Sequence, residues 1–282
     1  TFSSRGLGDV YKRQLYYNHS APEISDADFD KLWDELKAID PDNSVLHEVG
    51  PEPLPGTVKV EHIFPMRSLD KGTTDEDIIH FVTQSTFGGK QYLAQPKLDG
   101  SALSLEYVAG NLHRAATRGS GERGEDVTLN AKLIANIPLR LNIPADCHVR
   151  GEVVMPLAVF EEKYRTVSPN PRNLCSGALR QKHGDGKADA ADLVFCAYDV
   201  KFVDEKPTAD NDSELLSWLQ KAGIEPAPWT IFNSNNPHAE MIEHTKEWSK
   251  KRDKFEYEID GIVFKLDNLQ QRENLGMTAH HP

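Results

Sequence analysis

A chain of 282 residues holds one large domain or two unequal ones, and 38% hydrophobic residues are enough for a genuine core. A net charge of −12 argues against a generally basic nucleic-acid binder, because phosphate neutralisation scales with the Lys and Arg engaged, although a local basic patch remains compatible with it. No apolar run approaches the roughly 20 residues of a membrane span and no secretory pattern opens the chain, so a soluble cytoplasmic protein with no membrane partner is the expectation. Cys147, Cys175 and Cys196 are scattered and form no CxxC pair, so a zinc site of the usual spacing is not expected, and the odd number fits a reducing compartment.

The first fourteen residues lack an amphipathic period and read as a tail, linker or sequence scar. From Ser25, with Asp28 three residues on, a capping-box-like start leads into Phe29, Leu32, Trp33, Leu36 and Ile39 at helical spacing, ended by Asp40-Pro41. Gly50 to Gly56, with three prolines and two glycines, reads as a connection between domains. A second capped helix is predicted from Thr73, with Glu76 completing its box and Ile78, Ile79, Phe81 and Val82 as its apolar face. Beyond Lys90 the period becomes two: Leu103, Leu105 and Tyr107 alternate with polar residues, and a turn at Ala109-Gly110-Asn111 leads to a run ending near Thr117, a hairpin pattern. Further strands are predicted over 149–155, 193–198 and 259–264, and helices near 157–164, 213–221 and 239–252. Hairpins mixed with helices, without regular βαβ alternation, indicate α+β.

Five segments carry candidate chemistry. Gln95-Pro96-Lys97-Leu98-Asp99-Gly100 closes a short apolar strand, where a lysine can be held rigidly and become a nucleophile when its neutral form is favoured. The same residues also suit an ordinary solvated lysine in an Asp-Gly turn. Thr117 to Thr128 contains three glycines, which let backbone approach a phosphate closely, and Arg118, which could hold one bidentately; a flexible hairpin loop is the plainer reading. Glu152, in Val149-Arg150-Gly151-Glu152-Val153, could help hold a divalent cation beside phosphates, or simply face solvent or a base. Asn170-Pro171-Arg172-Asn173 and the following Ser176 to Gln181 put Arg172 and Arg180 around small residues, suited to phosphate or carboxylate binding or to a capped helix with a solvated basic end. Glu258 to Lys265 runs an Asp260-Gly261 turn into an apolar strand ending on a lysine, which by itself more often marks a solvated edge.

Each segment alone is weak. In this order, Lys-x-Asp-Gly, TRGxG, RGE, NPRN with LRQ, and DGxxxK, they resemble the NAD-dependent DNA ligases of bacterial type, over roughly Tyr16 to Pro282. The resemblance implies an adenylation (nucleotidyltransferase) fold of antiparallel sheets with flanking helices over 57–282, preceded at 15–56 by a small helical domain that recognises nicotinamide mononucleotide (NMN). Tyr16, Tyr17, Asp26, Phe29 and Asp30 match that small domain's signature, although Phe29 also suits core packing. The resemblance implies that Lys97 attacks the α-phosphate of NAD to give enzyme-AMP and NMN, with Asp99, Asp260 and Lys265 as catalytic partners. Ser68, Leu69, Gln95, Arg118, Glu152, Arg172, Arg180 and Lys265 would line the nucleotide, with Glu152 near ribose or magnesium. AMP would then pass to the 5′-phosphate of a DNA nick, by a protein expected to be a monomer.

Two residues depart from the family pattern. Gln95 stands where most members carry glutamate, and still offers one donor and one acceptor. Phe29 replaces a usual tyrosine and loses a hydroxyl, which predicts weaker NAD affinity. The resemblance also places a last nucleotidyltransferase motif and several DNA-binding domains beyond Pro282, so these 282 residues are expected to self-adenylate but not to seal nicks efficiently. The alternatives are an ATP-dependent nucleotidyltransferase, against which Tyr16 to Asp30 and NPRN count, and a non-catalytic nucleotide-binding paralogue.

Overall fold

A computed structural model describes residues 26–41, 43, 57–67, 69–85, 91–182, 187–203 and 209–274. Tyr16, Tyr17, Ser68, the first fourteen residues and the connection at Gly50 to Gly56 lie outside the described residues, as do the side chains of Asp26, Phe29 and Asp30. In chain order the elements are α1 (Asp26–Ile39), β1 (Lys59–Glu61), α2 (Asp75–Gln84), β2 (Tyr92–Leu98), β3 (Ser101–Val108), β4 (Asn111–Thr117), β5 (Arg123–Glu125), β6 (Cys147–Val154), α3 (Pro171–Arg180), β7 (Val194–Phe202), α4 (Asp212–Ala222), β8 (Thr230–Phe232), α5 (Pro237–Lys251), β9 (Ile259–Leu266) and α6 (Leu269–Asn274). They make an α+β protein whose named strand pairs run antiparallel. They group into two units, one taking in Thr1–Ser68 and Thr117–Asp126 and the other Leu69–Ala116 and Val127–Pro282.

In the first unit α1 ends where its periodicity predicts, at Ile39 before Asp40-Pro41. β1 pairs with β5, Val60 opposite Gly124, which places a strand inside the glycine-rich segment that reads as a loop from sequence. The backbone N–H of His62 reaches Glu122 O at 2.8 Å and that of Met66 reaches Gly121 O at 2.8 Å, continuing the pairing past the strands.

The second unit has two sheets. In the first, ordered β8-β2-β9, Tyr92, Ala94, Phe232 and Leu266 pack with Val82 of α2 and Met241 of α5. α2 is capped one residue later than its sequence suggests. Thr74 is the N-cap and Asp77 completes the box, because the Asp77 carboxylate accepts from the backbone N–H of both Thr73 and Thr74, at 2.7 and 2.9 Å. The second sheet, ordered β4-β3-β6-β7, carries the large core. Leu103, Leu105, Tyr107, Val149 and Val153 are buried with Leu174 and Leu179 of α3 and Leu215, Leu216 and Leu219 of α4. β3 and β4 join through Ala109 and Gly110, at φ 48 and 77, the two positive angles of a turn that matches strand twist. The predicted helix near 157–164 is a single turn, Leu157–Val159, widening into five residues of π-helix, Phe160–Tyr164. A third apolar cluster, Leu98, Val154, Cys196, Ala227 and Ile259, draws residues from both sheets.

Candidate active site

Every side chain of β2 is buried except that of Lys97. Alternation explains this selectivity: Tyr92 and Ala94 face the α2–α5 side, while Leu93, Gln95 and Lys97 share the opposite face. The strand ends where Asp99 N–H bonds Glu258 O at 2.9 Å. Gly100 then turns the chain against β6, where a Cβ would meet Val153 O at 2.1 Å, so a side chain at 100 would push the turn away from β6.

β9 runs beside β2 with Gly261 opposite Lys97 and Ile259 opposite Leu98. Asp260 is therefore the extra residue of a bulge, the device that redirects a side chain out of the regular alternation. Its carboxylate Oδ2 accepts a hydrogen bond from Lys97 Nζ. Partial burial alone would raise the Asp260 pKa. The Lys97 hydrogen bond and the charges of Lys97, Arg172 and Lys71 outweigh it and hold the carboxyl below its usual range. A Cβ on Gly261 would meet no heavy atom within 4 Å, so the space beside Lys97 is open.

Asp99 is paired with Arg172 Nη1 at 2.9 Å. Arg172 stands in the first turn of α3, which begins at the Asn170 cap with Pro171 behind it, as the sequence of that segment suggests. Arg180 is the last residue of α3, about 12 Å along the axis from Arg172. Glu152 lies on β6 opposite Ala102 of β3 and Cys196 of β7. Burial, then the charges of Glu152, Asp99 and Glu258, push the Cys175 thiol far above its usual range. Glu258 is itself raised, by burial first and then by Asp99, against the opposing charges of Arg252 and Arg172. Among the described residues no three His, Cys, Asp or Glu side chains converge as a metal cage.

Deeper along the same face, Gln95 is 2% exposed. Its Nε2 donates to Ala227 O at 3.3 Å and its Oε1 accepts from Lys265 Nζ at 2.8 Å. Lys265 also donates to Tyr198 O at 2.9 Å and to Asp212 Oδ2 at 3.2 Å. Thus the structure joins Lys97 with Asp260, Asp99 with Arg172, and Gln95 with Lys265. Sequence reasoning missed Asp212, and with it Arg272, because an acidic residue in the first turn of a helix carries no signal beyond capping.

Leu69 is half exposed at the start of the second unit. Arg118 belongs to the first unit, where its carbonyl accepts from Gly121 N–H at 3.0 Å and lies 3.2 Å from His62 Nε2. The turn it opens needs positive φ at Gly119 and Gly121, 55 and 92, which explains the glycine spacing of that segment.

The family model of the NAD-dependent DNA ligase adenylation domain matches residues 56–282. A DNA ligase of Nitrobacter hamburgensis is 37% identical over 293 residues, covering 95% of this chain and 40% of that protein. One of Natranaerobius thermophilus is 36% identical over 292 residues, covering 96% of this chain and 43% of its own length. The chain thus spans about two fifths of the length of the curated relatives it matches. Among solved structures, an archaeal ATP-dependent RNA ligase aligns with TM-score 0.42 and 12% identity over 67% of this chain and 42% of that one.

Proposed function

From the premise that the chain belongs to the NAD-dependent DNA ligase adenylation domain family, we propose that it is the self-adenylating part of a DNA ligase, with Lys97 as the residue that accepts AMP from NAD. The observation that carries this reading is the isolation of Lys97. It is the one exposed side chain of an otherwise buried strand, hydrogen-bonded to a carboxylate and set beside the open space over Gly261.

Those residues suit a dinucleotide. The open space over Gly261 leaves room beside the amine, Arg172 at the α3 N-terminus offers positive charge for phosphate, and Gln95 and Lys265 form a hydrogen-bonded pair on the same face of the sheet as Lys97. Lys97 Nζ attacks the α-phosphorus of NAD. A P–N bond forms, the bond from that phosphorus to the bridging oxygen breaks, and NMN leaves with the electron pair. Asp260 takes the proton from Nζ. An ammonium nitrogen has no lone pair, so this transfer comes before the P–N bond forms and leaves the neutral amine as nucleophile. Asp99, anchored by Arg172, keeps the end of β2 fixed so that Lys97 approaches in line. Arg118, Arg180, Ser68 and Leu69 complete the nucleotide contacts in this reading. Magnesium, when bound, would neutralise charge on the transferring phosphoryl group. Glu152 would hold it with help from phosphate oxygens, because no protein cage of three ligands surrounds it among the described residues. Residues 15–56 form the small NMN-recognising domain, using Tyr16, Tyr17, Asp26, Phe29 and Asp30, and 57–282 form the adenylation domain. In the whole protein AMP then passes to the 5′-phosphate of a DNA nick.

The test is donor choice. With NAD and magnesium the protein releases NMN in a single turnover, Lys97→Ala releases none, and Asp260→Asn slows release by about a hundredfold. Labelling from ATP in place of NAD would establish the ATP-dependent alternative. Nucleotide binding without transfer from either donor would establish a non-catalytic protein.

A further inference from the structure

Asp212 lies in none of the sequence motifs, yet its carboxylate is bonded to the candidate site residue Lys265 with its side chain 1% exposed. Oδ2 accepts from Lys265 Nζ at 3.2 Å and Oδ1 from Arg272 Nη2 at 3.1 Å. We infer that Asp212 is a positioning residue for the adenylation site: its carboxylate, delivered by the first turn of α4, supplies the counter-charge that holds the Lys265 ammonium against Gln95, on the strand face that Gln95 shares with Lys97.

The donor and acceptor balance supports this assignment. Lys265 has three ammonium protons and three acceptors, Gln95 Oε1, Tyr198 O and Asp212 Oδ2. The first two are neutral, so of these three acceptors Asp212 alone compensates the charge. Buried ammonium without such compensation is strongly disfavoured. The local fold is built to keep the carboxylate there. Asp267, two residues past Lys265 on the chain and fully buried, accepts Ser213 N–H and Ser213 Oγ–H at 2.8 Å each, and its carbonyl accepts Asp212 N–H at 2.7 Å. These bonds fasten the N-terminus of α4 to the end of β9, and the helix end itself favours a negative charge at Asp212. Burial would raise the Asp212 pKa, but the charges of Lys265 and Arg272 outweigh it and hold the carboxyl below its usual range, so it is ionised at neutral pH.

The geometry makes one further demand. Gln95 Oε1 is closer to Lys265 Nζ than Asp212 is, at 2.8 against 3.2 Å, so a glutamate at 95 can supply to Lys265 the charge that an asparagine at 212 would remove, while Arg272 keeps the asparagine oxygen as a neutral acceptor. The experiment is a double-mutant cycle of wild type, Asp212→Asn, Gln95→Glu and the double variant. Two readouts are taken: single-turnover adenylation against NAD concentration, and urea unfolding. Because the inference rests on the proposed NAD reaction, the unfolding cycle is the readout that does not depend on it. If wild type fails to adenylate, that reading falls while unfolding still decides whether residues 95 and 212 share one charge. We expect Asp212→Asn to raise half-saturating NAD roughly tenfold at an unchanged competent fraction, and Gln95→Glu to restore it to within about threefold. A purely structural role would lower the competent fraction and leave half-saturation where it was. Failure of Asp212→Asn to fold with recovery in the double variant would also support the inference. Additive effects in the unfolding cycle, or a double variant no better than Asp212→Asn, would overturn it.

Discussion

Replacing Gly261 with alanine separates the stability of the site from its use. The glycine sits opposite Lys97 on β9, its φ is not in the left-handed region, and the added methyl meets nothing within 4 Å. No steric cost opposes the substitution, while the unfolded chain loses freedom, so the protein should gain about 0.4–1 kcal/mol. For a domain of this size that is a rise of roughly 1–4 °C in the unfolding midpoint. In an antiparallel pair the side chains of opposite residues emerge on the same face, so the methyl enters the space beside the Lys97 amine. If NAD occupies that space, adenylation by Gly261→Ala falls by about tenfold or more while the fold is intact, since small misplacements of reacting groups carry costs of that order. Gly100→Ala is the contrasting perturbation. Its methyl would lie 2.1 Å from Val153 O, and overpacking of that kind costs about 1–3 kcal/mol, so stability and adenylation fall together. Calorimetry and single-turnover labelling on the same preparations read both quantities. A Gly261→Ala protein that melts several degrees lower, or one that adenylates at the wild-type rate, would refute the reasoning.

Two further predictions concern the scaffold. His244 packs edge-on against Phe232 and Trp248, at ring separations of 5.2 and 6.2 Å. Burial lowers its pKa, assisted by Lys251 and opposed by Glu247. The unfolded chain therefore takes up a proton first. Stability is full above the unfolded pKa of about 6.5 and is lost as pH falls from there toward the lower folded value. His244→Phe should flatten this part of the pH profile, as read from thermal melts between about pH 7.5 and 5.5, and an unchanged profile would remove the assignment. Thr74→Ala removes the N-cap of α2 and should cost about 1 kcal/mol in urea unfolding, whereas Thr73→Ala, which leaves the cap in place, should cost much less.

What the sequence made legible follows from the range of each signal. The β3–β4 hairpin, α1 and the α4 region were readable because alternation, helical spacing and caps are local patterns. Lys97, Asp99, Asp260 and Lys265 were singled out because their motifs follow one another in the order of the family they resemble. The pairing of Asp99 with Arg172 and of Lys97 with Asp260 was not, since these contacts join residues far apart in sequence. β5 escaped notice because three residues, Arg-Gly-Glu, become a strand only by pairing with Lys59–Glu61. The shift of the α2 cap from Thr73 to Thr74 reflects two adjacent threonines and two acids with equivalent spacing, between which only the geometry of Asp77 decides. Asp212 was the largest omission. From sequence it is one acid in a capped helix start. In the fold, burial against Lys265 and Arg272 gives it a different weight.

The most direct measurement is the intact mass of the protein after incubation with NAD and magnesium, followed by peptide mapping. The account predicts that the protein gains one AMP, carried on the peptide containing Lys97, and that Lys97→Ala gains none. An adduct on another residue, or an adduct that persists in Lys97→Ala, would contradict the claim that Lys97 is the nucleophile.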